Sequence, residues 1–103
     1  MRDAIVRLCN VVYDAGIRVV LCSGRPDEYR RQTIEWLERV GVRYDELRLR
    51  RNGDRRSDTI AKREMLDGID LAKILFVVED RASVVDMWRE LGLVCLQCAP
   101  GEF

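Results

Sequence analysis

Hydrophobic residues recur along the chain first at helical spacing and then in continuous runs, and the two patterns alternate. Ile5, Leu8 and Val12 are three and four residues apart, which predicts a helix that begins near Asp3 and ends at Gly16. The continuous runs are rich in β-branched residues, as in strands that are buried on both faces. The pattern predicts helices at about 3–15, 26–40, 57–69 and 82–91, and strands at 17–22, 46–50, 73–78 and 93–98.

The order α-β-α-β-α-β-α-β predicts an α/β fold, in which a parallel sheet is covered by helices on both faces. The 103 residues are enough for a single domain, 1–103, with one core. A hydrophobic content of 48% with 35% charged residues is typical of a globular protein and excludes a disordered chain.

Charge and cysteine content exclude several classes of protein. The 18 basic residues equal the 18 acidic ones, so a nucleic acid or membrane would need a local patch. No apolar run is long enough to cross a bilayer and no signal peptide is visible, so we expect a cytoplasmic protein without membrane contact. Histidine is absent, and the four cysteines lie in apolar stretches, which favours buried thiols over a metal site or disulfide.

Polar side chains follow two of the predicted strands. Ser23, Gly24 and Arg25 come after the first strand and directly before a helix, which is typical of a cradle for phosphate. Glu79 and Asp80 end the very apolar third strand, and carboxylates of this kind are ligands for Mg²⁺. Each group also has a structural interpretation, as a turn or a helix cap.

Asp58 and Lys62 lie four residues apart near the start of the third helix. Lysine there can neutralise a phosphate while the aspartate orients the lysine, although a surface ion pair is the more common arrangement. Ligands of parallel α/β sheets bind at the carboxyl ends of the strands, so we expect the three groups of residues at one edge of one sheet.

These groups belong to longer runs that together span the chain. The runs are Val20-Leu21-Cys22-Ser23-Gly24-Arg25, Asp58-x-x-x-Lys62, Glu79-Asp80-Arg81, Val84-Val85-Asp86-Met87-Trp88-Arg89 and Ala99-Pro100-Gly101-Glu102-Phe103. They resemble motifs two, three and four of the haloacid dehalogenase (HAD) superfamily of phosphohydrolases and, more narrowly, the 3′-phosphatase domain of phage polynucleotide kinases. No Gly-Lys-Ser/Thr loop of a kinase is present.

The resemblance implies a role for each matching residue at the substrate. Ser23 would hydrogen-bond a phosphoryl oxygen, and Arg25, beside Gly24, would contact the phosphate or the nucleic-acid end. Lys62 would stabilise the nucleophile and the phosphoryl group, with Asp58 orienting Lys62.

The resemblance also implies a magnesium cofactor. Asp80 would ligate Mg²⁺ directly or through water, with Glu79 in support, while Arg81 and Asp86 would be structural.

The first motif of that superfamily, Asp-x-Asp, does not occur in this sequence. In the family the first aspartate of this motif attacks phosphorus. The order of the motifs places it before Asp3. We therefore expect the domain to be incomplete at its N-terminus and inactive by itself. Three readings stay open: a 3′-end phosphatase whose first strand comes from a longer chain or a partner, a silent relative that still binds a phosphate or nucleic-acid end, and an interaction module.

Two further expectations concern partners. Five arginines crowd the second strand and the following loop and favour binding of a phosphate backbone, while a solvated loop balanced by nearby acids is the alternative. The five are Arg48, Arg50, Arg51, Arg55 and Arg56.

The family's strand order, 5-4-1-2-3, makes the missing strand the central one, flanked by the strands at 17–22 and 73–78. Unpaired backbone groups in that gap favour a homodimer, with elements exchanged between copies. A monomer in which the two strands pair directly is the competing outcome.

Overall fold

The computed structural model describes residues 3–101, and the chain divides between Asp54 and Arg55 into two compact units. Each unit contains its own two-stranded parallel sheet and its own buried cluster. Glu102 and Phe103, at the end of the last run quoted above, lie outside the described residues.

The first unit is built around a pair of strands packed against helices. Its elements are helix α1 (Asp3–Asp14), strand β1 (Val20–Pro26), a 3₁₀ turn (Asp27–Tyr29), helix α2 (Arg30–Val40) and strand β2 (Glu46–Arg50). β1 runs parallel to β2, and the register is regular until it breaks between Ser23 and Pro26. The buried cluster consists of Val6 of α1, Leu37 of α2, Leu47 of β2, and Val42 from the connection between α2 and β2.

The second unit repeats the arrangement with shorter strands. Its elements are helix α3 (Asp58–Glu64), a 3₁₀ turn (Leu71–Lys73), strand β3 (Val77–Glu79), helix α4 (Ala82–Glu90) and strand β4 (Cys95–Gln97). β3 runs parallel to β4. The buried cluster joins α4 to β4 and consists of Val84, Val85, Trp88, Leu93 and Cys95.

The predicted α/β class, the order of the elements and the parallel pairing are confirmed. The predicted strand at 17–22 is shifted, because the residues after α1 close the helix. Gly16 has a φ of 85°, its N–H donates to Tyr13, and the N–H of Ile17 donates to Val12, as in a Schellman motif. Strand β1 therefore begins at Val20 and extends to Pro26.

The predicted third helix and third strand are also too long. α3 ends at Glu64, because turns bonded at i to i+3 follow over residues 65–69. Asp70 accepts a hydrogen bond from the N–H of Ala72 and starts the 3₁₀ turn, which takes residues 71–73 out of the strand.

Each sheet draws both of its strands from one unit. The competing expectation, a direct pairing of β1 with β3, stays a prediction. No helix within residues 3–101 is long and apolar enough to span a membrane.

Candidate functional site

The predicted site residues fall into two sets, one in each unit. Ser23, Gly24 and Arg25 lie in the first unit, at the carboxyl end of β1. The second unit holds the others, which are Arg55, Arg56, Asp58, Lys62, Glu79 and Asp80.

Ser23, Gly24 and Arg25 belong to β1 rather than to a turn after it, which corrects the sequence-based prediction. The register with β2 breaks directly after Ser23, so Gly24 and Arg25 are exposed instead of paired in the sheet. The hydroxyl of Ser23 accepts a hydrogen bond from the N–H of Arg25 over 3.2 Å. The end of β1 therefore holds the Ser23 hydroxyl against the backbone N–H of Arg25.

Two residues of α2 hold the exposed Arg25 side chain. Its Nη1 donates to Oγ1 of the buried Thr33 over 3.4 Å, and that hydroxyl donates to the carbonyl of Tyr29 over 2.8 Å. Its guanidinium carbon lies 6.0 Å from the ring centroid of Trp36, at the outer limit of a cation–π contact. Sequence analysis missed Thr33 and Trp36 as functional residues, because their helical spacing marks them equally well as core positions.

Three of the five clustered arginines are engaged by carboxylates. Arg48 pairs with Glu46, Arg50 lies 3.9 Å from Asp54, and Arg56 donates two hydrogen bonds to Glu64, of 2.6 and 2.7 Å. The carboxylate of Glu46 accepts hydrogen bonds from the guanidinium groups of Arg48 and Arg18, and these hold the pKa of Glu46 below its usual range.

Arg51 and Arg55 are exposed, and neither forms an ion pair within residues 3–101. The two lie in different units, on either side of the boundary at 54–55. Of the two clustered arginines in the second unit, Arg56 pairs with Glu64 and Arg55 is exposed.

Glu79 is the centre of the second set. It ends β3 with 9% of its surface exposed. Its Oε1 accepts from Nζ of Lys62 over 3.0 Å and from Nε1 of Trp88 over 3.5 Å. Its Oε2 accepts from the backbone N–H groups of Asp80 and Arg81, over 3.2 and 3.4 Å. A buried carboxylate requires such donors, and here four of them surround it.

The partner of Lys62 is Glu79, and not Asp58 as the resemblance had led us to expect. Asp58 pairs with Arg81, the residue that precedes α4. Lys62 thus pairs with the more buried of the two carboxylates, since the side chain of Glu79 is 9% exposed and that of Asp58 25%. Asp58 therefore fixes the start of α3 to the residue that follows the two acids.

Only one of the two acids suits Mg²⁺. The four hydrogen bonds to Glu79 occupy its lone pairs, so it does not fit as a ligand, and the carboxylate of Asp80 is exposed. Within residues 3–101 no group of three His, Cys, Asp or Glu residues could hold a metal ion. The described residues therefore offer one ligand and not a complete magnesium site.

Strand β4 and the segment after it hold the backbone around Asp80. Nε2 of Gln97 donates to the carbonyl of Asp80 over 3.0 Å, and the N–H of Cys98 donates to that of Glu79 over 3.0 Å. None of the four cysteines, all within residues 3–101, forms a disulfide, and Cys95 is the buried one. Burial raises the pKa of the Cys95 thiol, so it stays protonated at neutral pH.

Comparison with known proteins decides the family. The family model described as the polynucleotide kinase PNKP phosphatase domain matches residues 1–103. The chain belongs to this family.

Two solved structures are similar to the chain throughout. One, described as "Structure of Pnkp1/Rnl/Hen1 complex", has a chain with 36% identity and a TM-score of 0.92, and the match covers 100% of this chain and 37% of that one. The other, "Structure of the Pnkp1/Rnl/Hen1 RNA repair complex", gives 36% identity and a TM-score of 0.90, over 97% of this chain and 33% of that one. The PNKP phosphatase-domain chain described here therefore spans about a third of the length of those chains.

The resemblance to HAD-type polynucleotide kinase phosphatases is thus confirmed. The roles of the individual site residues, the magnesium cofactor, the link to phage and the homodimer stay predictions.

Proposed function

We propose that this chain recognises the phosphate of an RNA 3′ end, as part of a polynucleotide 3′-phosphatase. The PNKP phosphatase-domain family supports the phosphatase, and the RNA repair complex that holds a similar chain supports RNA over DNA. The contact that carries the proposal is the one between Lys62 and Glu79.

Lys62 has the chemistry for a phosphoryl oxygen. An ammonium carries three hydrogen-bond donors, and within residues 3–101 Lys62 uses one of them, on Glu79. Two donors remain, on a side chain that is only 14% exposed and thus held in one place. A fixed cation with free donors stabilises the charge of a phosphoryl group.

Binding and turnover are separate in this proposal. The sequence contains no Asp-x-Asp, so it has no aspartyl nucleophile of the family's kind. The chain binds the phosphate, and hydrolysis needs an Asp-x-Asp segment that a longer chain or a partner supplies.

Titration with RNA oligonucleotides that end in a 3′-phosphate or a 3′-hydroxyl tests the binding. We expect tighter binding of the 3′-phosphate, and a loss of roughly ten- to a hundredfold in Lys62→Ala, since a hydrogen bond to a charged group contributes about 1.5–3 kcal/mol. The matched control is Lys73→Ala, which changes the other lysine of the chain. Equal affinity for the two RNA ends would contradict the proposal, and equal affinity for DNA would contradict the preference for RNA.

The same oligonucleotides test turnover. We expect no Mg²⁺-dependent release of phosphate by the purified 103-residue chain. Release that disappears in Asp80→Asn would show that the chain holds another nucleophile.

An interaction module is the second candidate function, and a specific observation favours it. Leu75, Val94 and Leu96 of the second unit are exposed, at 60%, 61% and 48%. Exposed apolar side chains of this kind suit a protein partner, and the similar Pnkp1 chains belong to complexes with Rnl and Hen1.

A further inference from the structure

Trp88 is a buried residue of α4 whose indole N–H donates a hydrogen bond to Glu79. It is 2% exposed and belongs to the buried cluster of the second unit. Its Nε1 lies 3.5 Å from Oε1 of Glu79, nine residues earlier in the chain. An indole N–H that is buried needs an acceptor, and this carboxylate is the acceptor it has.

Oε1 of Glu79 receives donors from two different helices. Lys62 approaches it from α3 and Trp88 from α4. The other oxygen is held by the backbone N–H groups of Asp80 and Arg81. The four donors fix the plane of the carboxylate, and the position of Oε1 determines where the ammonium of Lys62 lies.

We propose that Trp88 is a positioning residue for Lys62, acting through Glu79. This inference rests on the proposed function, since it concerns the lysine that would bind the phosphate. Without the indole N–H, Oε1 of Glu79 keeps only Lys62 as a donor, and the backbone N–H groups of Asp80 and Arg81 hold the carboxylate through Oε2 alone. The remaining donors of Lys62 then no longer meet a phosphoryl oxygen in one geometry.

A spectroscopic test reads the contact directly. The chain contains two tryptophans, Trp36 and Trp88, so an NMR spectrum shows two indole N–H signals, and Trp36→Phe assigns them. We expect Glu79→Gln to move the Trp88 signal upfield, because a neutral amide oxygen accepts a weaker hydrogen bond than a carboxylate. Lys62→Met should move the same signal, and the Trp36 signal serves as the internal reference that stays in place.

A binding test separates positioning from packing. Trp88→Phe keeps a buried ring but removes the donor, and we expect it to weaken binding of the 3′-phosphorylated RNA about three- to tenfold. Leu93→Ala is the matched control, since it opens a cavity in the same buried cluster without touching Glu79. Both variants are titrated at a temperature where circular dichroism shows them folded.

The outcomes distinguish this inference from the proposed function. If the parent chain does not bind the 3′-phosphate, the proposed function fails, while the indole signals still test the coupling to Glu79 and Lys62. An indole signal that ignores Glu79→Gln overturns the inference, as does equal affinity in Trp88→Phe and Leu93→Ala. If Trp88→Phe does not fold, the response of the indole signal to Lys62→Met decides.

Discussion

At the scale of single residues, the five clustered arginines of β2 and the following loop show that a count of charges in the sequence overstates the charge left to attract a phosphate. Arg48, Arg50 and Arg56 face carboxylates, which reduces the attraction that the cluster exerts on a phosphate backbone. Arg51 and Arg55 keep exposed guanidinium groups without an ion pair in residues 3–101. Any attraction of this stretch for RNA therefore depends on these two.

We expect the double variant Arg51→Ala/Arg55→Ala to weaken RNA binding and to reduce its dependence on salt. Each phosphate contact on a single strand contributes about 0.7 to the slope of log K against log salt, so loss of two should lower it by about 1.4. Titrations at several salt concentrations measure the slope. The control is Arg39→Ala, an exposed arginine of α2. Binding that ignores both salt and the double variant would reject the interface.

Residue types at the site could be predicted from the sequence, while their partners could not. Lys62, Glu79 and Asp80 were found because of their places after strands and on a helix. The pairing of Lys62 with Glu79 instead of Asp58 depends on which carboxylate is buried, and this is set by the packing around β3. Spacing of four residues allows an ion pair but does not decide between two acids.

At the scale of elements, one side chain of α1 holds the connection between α2 and β2. Nδ2 of Asn10 donates to the carbonyl of Gly41 over 3.0 Å, and its Oδ1 accepts from the N–H of Arg43 over 2.7 Å. The connection has left its helix and not yet entered its strand, so these backbone groups need outside partners. Asn10 supplies both.

We expect Asn10→Ala to lower the free energy of unfolding by about 1–2 kcal/mol, because two hydrogen bonds are lost together. Urea unfolding of the chain measures the change. Asp14→Ala is the control, since it removes the exposed ion pair between Asp14 and Arg43 and should cost less than about 1 kcal/mol. Equal stability of the two variants would contradict this role of Asn10.

Helix ends that a glycine marks were more predictable than strand ends. Glycine marks the end of α1 at Gly16, where a positive φ is required, and this is visible in the sequence. The strand at 73–78 was predicted too long because continuous apolar residues do not reveal that Asp70 starts a 3₁₀ turn.

At the scale of the whole molecule, each sheet has only two strands within residues 3–101. The alternation of helices and strands predicted the α/β class, but it carries no information on which strands pair. Two-stranded sheets are marginal by themselves, and the outer edge of such a sheet can pair with a further strand.

We therefore expect the chain to form a homodimer in solution, with β1 and β3 at or near the interface. Strand exchange between identical chains would satisfy these edges while keeping the packing of each unit. Sedimentation at micromolar concentration should give a species of twice 12.0 kDa. A single species of 12.0 kDa would contradict the dimer.

The division into two units also gives the molecule a pair of built-in optical reporters. Trp36 packs against the buried cluster of the first unit, and Trp88 belongs to that of the second. Tryptophan fluorescence, excited at a wavelength that tyrosine does not absorb, therefore follows the second unit in Trp36→Phe and the first unit in Trp88→Phe. Melting curves that coincide mean that the two halves unfold in one cooperative transition, and curves that separate mean that each half has a stability of its own.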